Sequence, residues 1–146
     1  DDFKMIFIGN GIDFIKLKEL SQILHLENVI EFTGLLEKQE LVDEYMKASF
    51  MLINSNYENM PVVINEAMAC GLPVLSTNVG GISEHLDLKK GRLIEPQKPQ
   101  QLLDQFQWML DHLDSFEPSS IRQYAEEHFS FDAVGQQLDE VYQSIN

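Results

Sequence analysis

Two carboxylates stand almost alone in the middle of the chain. From Ala48 to Ser83 the only charged side chains are Glu58 and Glu66, eight positions apart. At 100° per residue, eight residues leave an angular offset of about 80° on a helix. Both can face one cleft if Glu58 lies just ahead of a helix that carries Glu66. Pro61 suits the first turn of that helix, where its missing N–H costs nothing. The helix start would turn N–H groups at Met60, Val62 and Val63 toward the same cleft. Free N–H groups backed by a helix dipole favour an anion such as phosphate. A carboxylate suits vicinal hydroxyls, from which it accepts two hydrogen bonds. Phosphate beside hydroxyls is the chemistry of a nucleotide sugar. Periodicity alone leaves a second reading open, with Glu58 solvated and Glu66 on the outer face of an amphipathic helix.

The elements that must position these groups alternate in type. Short apolar runs at Phe3–Ile8, Val29–Phe32, Phe50–Ile53, Pro73–Ser76 and Gly91–Ile94 read as strands. Helical stretches separate them. One follows Asp13, a candidate cap, to about Leu26. Others cover Gln39–Lys47, Val62–Cys70 and Ile82–His85, and from Pro99 onward the chain is helical over roughly 100–114, 119–128 and 131–145. Strand alternating with helix implies βαβ crossovers and a parallel sheet. The strand cores are continuously apolar, as expected for strands covered on both faces. The expected architecture is α/β: a single domain over residues 1–146, a Rossmann-like open parallel sheet of about five strands flanked by helices, and a helical C-terminal third. Its ligand belongs outside the C-terminal ends of the strands.

Composition narrows the chemistry. The 146 residues are 44% hydrophobic, enough for one core without disulfides. Lys and Arg number 10 against 24 Asp and Glu, a net charge of −14. Nucleic acids and anionic lipid surfaces would be repelled by the chain as a whole. From Glu95 to Asn146 ten acids face Lys98 and Arg122 only, which reads as a solvated helical face. No apolar run approaches the roughly 20 residues of a membrane span, and the acidic start, Asp1-Asp2-Phe3-Lys4, is no secretory signal. The single Cys70 points to a reducing, cytoplasmic setting and a small buried hydrophobe. His25, His112 and His128 are scattered through helices and suggest no metal site, while His85 beside Glu84 reads as a cap or surface residue, with a ligand role as the alternative. Trp108 and Met109 fall on a helical period and read as core.

The longer string around the carboxylates carries a resemblance. Glu58-Asn59-Met60-Pro61-Val62-Val63-Ile64-Asn65-Glu66-Ala67-Met68-Ala69-Cys70-Gly71-Leu72-Pro73-Val74, followed by Val79-Gly80-Gly81-Ile82-Ser83-Glu84, closely resembles the nucleotide-binding half of retaining glycosyltransferases of family four, which have the GT-B fold. Ile6-Phe7-Ile8-Gly9-Asn10-Gly11, Val29-Ile30-Glu31-Phe32-Thr33-Gly34 and Gly91-Arg92-Leu93-Ile94-Glu95-Pro96 are similar to further elements of that family, in the same order. The resemblance runs from about residue 3 to 130. It implies that Glu58 is the catalytic-site carboxylate beside the donor sugar. Asn59, Met60, Val62 and Val63 then bind the sugar and diphosphate, and Glu66 holds the ribose. Gly34 and Leu35 lie near the base, and Gly80 and Gly81 form a phosphate loop. For Gly34, Gly80 and Gly81, simple turn chemistry is the competing reading. Pro61 replaces a glycine common in the family and supplies no N–H.

The resemblance also implies a reaction: transfer of a sugar from a UDP-, GDP- or ADP-sugar to an acceptor hydroxyl with retention, without metal or cofactor, in glycan or polysaccharide synthesis. The alternative is a non-catalytic nucleotide-sugar-binding module or a GT-B-related nucleotide-sugar epimerase. A strand and loop carrying the family's basic diphosphate clamp, and an N-terminal acceptor domain, are expected ahead of Asp1. The implied acceptor is a saccharide or lipid-linked saccharide. The implied location is the cytoplasm or the inner membrane face, any membrane contact being peripheral and made by the missing half. Alone, the piece is expected to be inactive. With the family's first strand missing, Met5–Ile8 is expected to pair directly with Phe50–Ile53, unless a partner chain fills that place.

Overall fold

Apolar runs become strands and the amphipathic stretches between them become helices throughout a computed structural model that describes residues 3–145. Asp1 and Asp2 of the acidic start lie outside the described residues. In order the elements are β1 (Met5–Ile8), α1 (Phe14–Ile23), β2 (Ile30–Gly34), α2 (Lys38–Lys47), β3 (Met51–Ile53), α3 (Val62–Ala69), β4 (Val74–Thr77), α4 (Ile82–His85) and β5 (Gly91–Ile94). Then come α5 (Pro99–Asp111), a 3₁₀ turn at Leu113–Ser115, α6 (Pro118–Phe129) and α7 (Phe131–Ile145). Pro99 and Pro118 open their helices, where a fixed φ helps and no N–H is needed. Asp13 stands at the start of α1, but its side chain makes no cap hydrogen bond.

The fold is α/β with parallel strands and a helical C-terminal part, as expected. Among the described residues the strands are five and all pairs are parallel, yet they form two sheets, β1-β2 and β3-β4-β5. The expected ladder between Met5–Ile8 and Phe50–Ile53 is not formed among the described residues. Every ladder that forms joins consecutive strands through one crossover helix. Apolar strands alone do not specify which edges meet. The chain falls into two compact units, the first ending at Asp43 and the second beginning at Glu44.

In the first unit Phe7 stacks on Phe32 at 5.1 Å between ring centroids, and Phe14 meets Phe32 edge-on at 5.7 Å. The β1-β2 register slips by one residue after Phe7, so that Ile8 faces Gly34. The second unit holds the larger core. Ile64, Met68, Val74, Leu75, Ile82, Leu86, Ile94, Met109 and Ile121 are fully buried. β4 is buried along its whole length, as the central strand of its sheet must be. Helix α3 packs on α6, whereas α7 has no buried residue.

Gly91 sets how closely β5 can approach β4. It pairs with Val74, and a Cβ at Gly91 would overlap the Val74 carbonyl. Gly91→Ala must therefore displace one strand, at a cost of about 3 kcal/mol, the upper range for overpacking. Urea denaturation of the 146-residue chain measures this, and an unchanged midpoint would contradict the packing described.

Candidate functional site

Ile53, the last residue of β3, pairs with Ser76 near the end of parallel β4. The segments that leave these two strands therefore start at the same end of the sheet, and they interlock. Thr77, 1% exposed at the end of β4, donates its hydroxyl to the Ser55 carbonyl at 2.7 Å. Ser55 in turn donates its own hydroxyl to Glu58 Oε1 at 2.8 Å. Gly81 N–H donates to the Asn59 carbonyl at 2.7 Å. Gly80 adopts φ +58°, and a Cβ there would overlap the Glu58 carbonyl and crowd that of Asn59. Glycine is required at this position for both reasons. The structure thus brings Glu58, Asn59, Gly80 and Gly81 together. Glu58 is half-buried and Asn59 exposed.

Helix α3 begins four residues after Glu58. Pro61 is its N-cap rather than its first helical residue, with ψ 125°. The helix's first hydrogen bond runs from Ile64 N–H to the Pro61 carbonyl at 3.0 Å. Val62 and Val63 precede it, so their N–H groups are the orphan donors of the helix start. Met60 lies outside the helix, and its N–H is not among those orphan donors. Glu66 sits little more than one turn into α3 and is exposed. Its Oε2 accepts a long hydrogen bond, 3.5 Å, from the Tyr45 hydroxyl of α2. Tyr45 is 7% exposed. Burial pushes its phenol up to about 12, and the Glu66 charge and the hydrogen bond to it act in the same direction.

Gly34 and Leu35 belong to the first unit. Gly34 ends β2 at φ +75°, and Leu35 is 71% exposed. Cys70 is half-buried at the end of α3, its thiol raised chiefly by burial. Met109 is core, while Trp108 is only half-buried, carries the Arg92 guanidinium 3.5 Å above its ring, and stacks on His112. His85 Nδ1 is 3.0 Å from the Tyr124 hydroxyl, in a cluster with His128 and Phe129. Lys90 is held by Asp87 and lies over the Tyr124 ring. Among the described residues no three His, Cys, Asp or Glu side chains gather in a way that could hold a metal ion. No helix among them is long and apolar enough to cross a membrane. Sequence reasoning missed Tyr45, Ser55 and Thr77. The S-x-x-E spacing of Ser55 and Glu58 was a usable signal for one of them. Nothing in the pattern linked Tyr45 to Glu66 or Thr77 to Ser55.

The family model described as Glycosyl transferases group 1 matches residues 1–128. Among curated proteins, a D-inositol 3-phosphate glycosyltransferase of Corynebacterium urealyticum is 30% identical over 142 residues, covering 94% of this chain and 33% of that one. Among solved structures, sucrose-phosphate synthase from Thermosynechococcus elongatus superposes with a TM-score of 0.83 at 24% identity, covering 97% of this chain and 38% of the other. Anabaena Alr3699/HepE in complex with UDP superposes with a TM-score of 0.80 at 24% identity, covering 97% and 41%. At these identities the two structures establish likeness of fold. The chain spans 33% of the length of the curated relative.

The Tyr45 environment has a measurable pH signature. Its folded pKa lies above that of an unfolded phenol, near 10. Below pH 10 both states keep the proton and stability is unaffected. Above it the unfolded phenol ionises first, so stability falls as pH rises from about 10 toward 12. Thermal unfolding across that range is expected to show the fall, and Tyr45→Phe to flatten it. An identical alkaline profile in the variant would contradict the burial and the Glu66 contact.

Proposed function

The chain belongs to the Glycosyl transferases group 1 family, and on that premise we propose that it supplies the donor-binding half of a retaining, family-four glycosyltransferase. The carrying observation is Glu58. It stands at the C-terminal end of parallel strands, where ligands bind in such sheets, with its carboxylate oriented by Ser55 and the start of α3 just beyond it.

The roles follow from the chemistry of each group. Glu58 accepts hydrogen bonds from donor-sugar hydroxyls. Backbone N–H groups at Asn59, Val62 and Val63 meet the diphosphate, where the dipole of α3 favours negative charge. Met60 lines the same turn, and Gly80 and Gly81 let a phosphate approach the backbone. Glu66 accepts from the ribose hydroxyls. Gly34 and Leu35 are assigned to the base. That a structural neighbour is in complex with UDP supports a nucleoside diphosphate as the ligand. Within the second unit Lys90 is taken by Asp87 and Arg92 lies over Trp108. The chain spans 33% of the length of its curated relative, and we assign the cationic clamp for the diphosphate and the acceptor domain to the rest of the enzyme.

In the proposed reaction the bond between the sugar's anomeric carbon and the diphosphate oxygen breaks, and the acceptor oxygen bonds to the same face of that carbon. The departing phosphate oxygen takes the acceptor's proton. No metal or cofactor is required. Glu58 stabilises the positive charge that develops on the sugar as the bond breaks. The acceptor is a saccharide or lipid-linked saccharide, and the enzyme works in the cytoplasm or at the inner membrane face, on polysaccharide.

A thermal-shift panel of UDP-, GDP- and ADP-sugars on the intact protein tests the reading, and no shift with any of them sinks it. Glu58→Gln is expected to lower turnover by about 10²–10³ while sparing nucleoside-diphosphate affinity. Turnover at the wild-type level refutes its role. Glu66→Ala removes charge-assisted hydrogen bonds from an exposed carboxylate, which limits the loss of nucleotide affinity to about 3 kcal/mol. Calorimetric titration that finds equal affinity would remove Glu66 from the ribose.

A further inference from the structure

The proposed role of Glu58 requires its carboxylate to be held in one orientation before substrate arrives. A glutamate has three side-chain torsions, and a half-buried one loses catalytic precision unless something locks it. We infer that Ser55 is the positioning residue for Glu58, and that Thr77 positions Ser55 from the end of β4. The inference rests on the reading of Glu58 given above and adds to it two residues that touch no substrate.

Three observations carry it. The Ser55 hydroxyl donates to Glu58 Oε1 at 2.8 Å. A carboxylate has about four acceptor sites, and this bond occupies one, leaving the second oxygen and part of the first for sugar hydroxyls. The Ser55 backbone is fixed by the Thr77 hydroxyl, which reaches its carbonyl at 2.7 Å from a side chain that is 1% exposed. Thr77 closes a strand that is buried at every residue, so this donor is anchored in the rigid part of the second unit. The third tie is at the turn after β4. Gly81 N–H reaches the Asn59 carbonyl at 2.7 Å, and Gly80 leaves no space between that turn and the Glu58 backbone. Thr77 fixes Ser55 upstream of Glu58, and Gly81 fixes Asn59 downstream. With backbone held on both sides, the remaining freedom of Glu58 is its side chain, and Ser55 removes it.

Serine is suited to this role because a single donated O–H orients the carboxylate without neutralising it. A lysine in its place would pair with the charge and compete with the developing positive charge on the sugar. Thr77 uses its hydroxyl on a backbone carbonyl, so Thr77→Ser retains the donor and Thr77→Val removes it at equal volume.

The test is steady-state kinetics of the intact transferase, with the donor selected by the thermal-shift panel. Ser55→Ala is expected to lower kcat about tenfold to a hundredfold, the value of one hydrogen bond to a charged group, with KM for the donor unchanged. Ser55→Thr and Thr77→Ser are expected to retain activity, and Thr77→Val to lower kcat as Ser55→Ala does. In a Glu58→Ala background, Ser55→Ala is expected to cause no further loss, because its effect passes through Glu58. A further loss in that background as large as in the wild type overturns the inference. So does wild-type turnover in Ser55→Ala when Glu58→Ala is impaired, and the reading of Glu58 then stands. Wild-type turnover in Glu58→Ala overturns that reading, and the inference with it.

Discussion

At Gly80 two backbone segments meet with no room for a side chain between them. The turn after β4 lies directly on the carbonyls of Glu58 and Asn59, in a left-handed conformation that glycine alone adopts without strain. One further tie of the site depends on that approach. Gly81 can reach the Asn59 carbonyl only because Gly80 lets the turn come close. Together with the Thr77–Ser55 bond, these contacts fix the loop between β3 and α3 to the end of the sheet. The parallel pairing of Ile53 with Ser76 is what puts both segments at one end in the first place. The loop over residues 54–61 is thereby tied at Ser55 to the end of β4 and at Asn59 to the segment that follows it.

Electrostatics pull against geometry here. The proposed ligand carries negative charge, yet both side chains assigned to its hydroxyls are carboxylates. The start of α3 offsets this only in part, since its orphan N–H groups and dipole act over about the first turn. Two arrangements moderate the conflict. Glu58 gives one acceptor site to Ser55, and Glu66 lies exposed, where water screens its charge. Tyr45 supplies Glu66 with a donor that keeps its proton well into alkaline conditions. Both carboxylates are thus furnished with hydroxyl donors rather than cations. On the proposed reading both serve as acceptors for sugar and ribose hydroxyls, and the task of neutralising phosphate falls to other parts of the enzyme.

The two units differ in how completely they bury their apolar residues. The second has fully buried hydrophobic side chains around β4, α3, α4 and α6, among them Ile64, Met68 and Leu75. The first is a piece of about 40 residues, a size at which little core can form. Its phenylalanines cluster, but Ile15, Leu20 and Ile23 of α1 remain exposed although their spacing marks an apolar face. Helix α7 shows the same feature, with Phe131 99% exposed. Amphipathic periodicity reports that a face is apolar; burial also needs a surface to receive it.

Much of this protein was legible from residue types and spacing. Continuous apolar runs marked all five strands to within two residues. Prolines and glycines marked where helices begin and end. The E-x7-E string led to the family. These features are local, and local chemistry decides them: strand propensity, missing N–H groups, the need for positive φ. The tertiary structure decided the rest because the deciding contacts span long separations. Thr77 and Ser55 are 22 positions apart, and Tyr45 and Glu66 are 21. The division of the strands into two sheets has the same origin. Apolar runs mark the strands but do not specify which backbone edges meet, and among the described residues only consecutive strands pair.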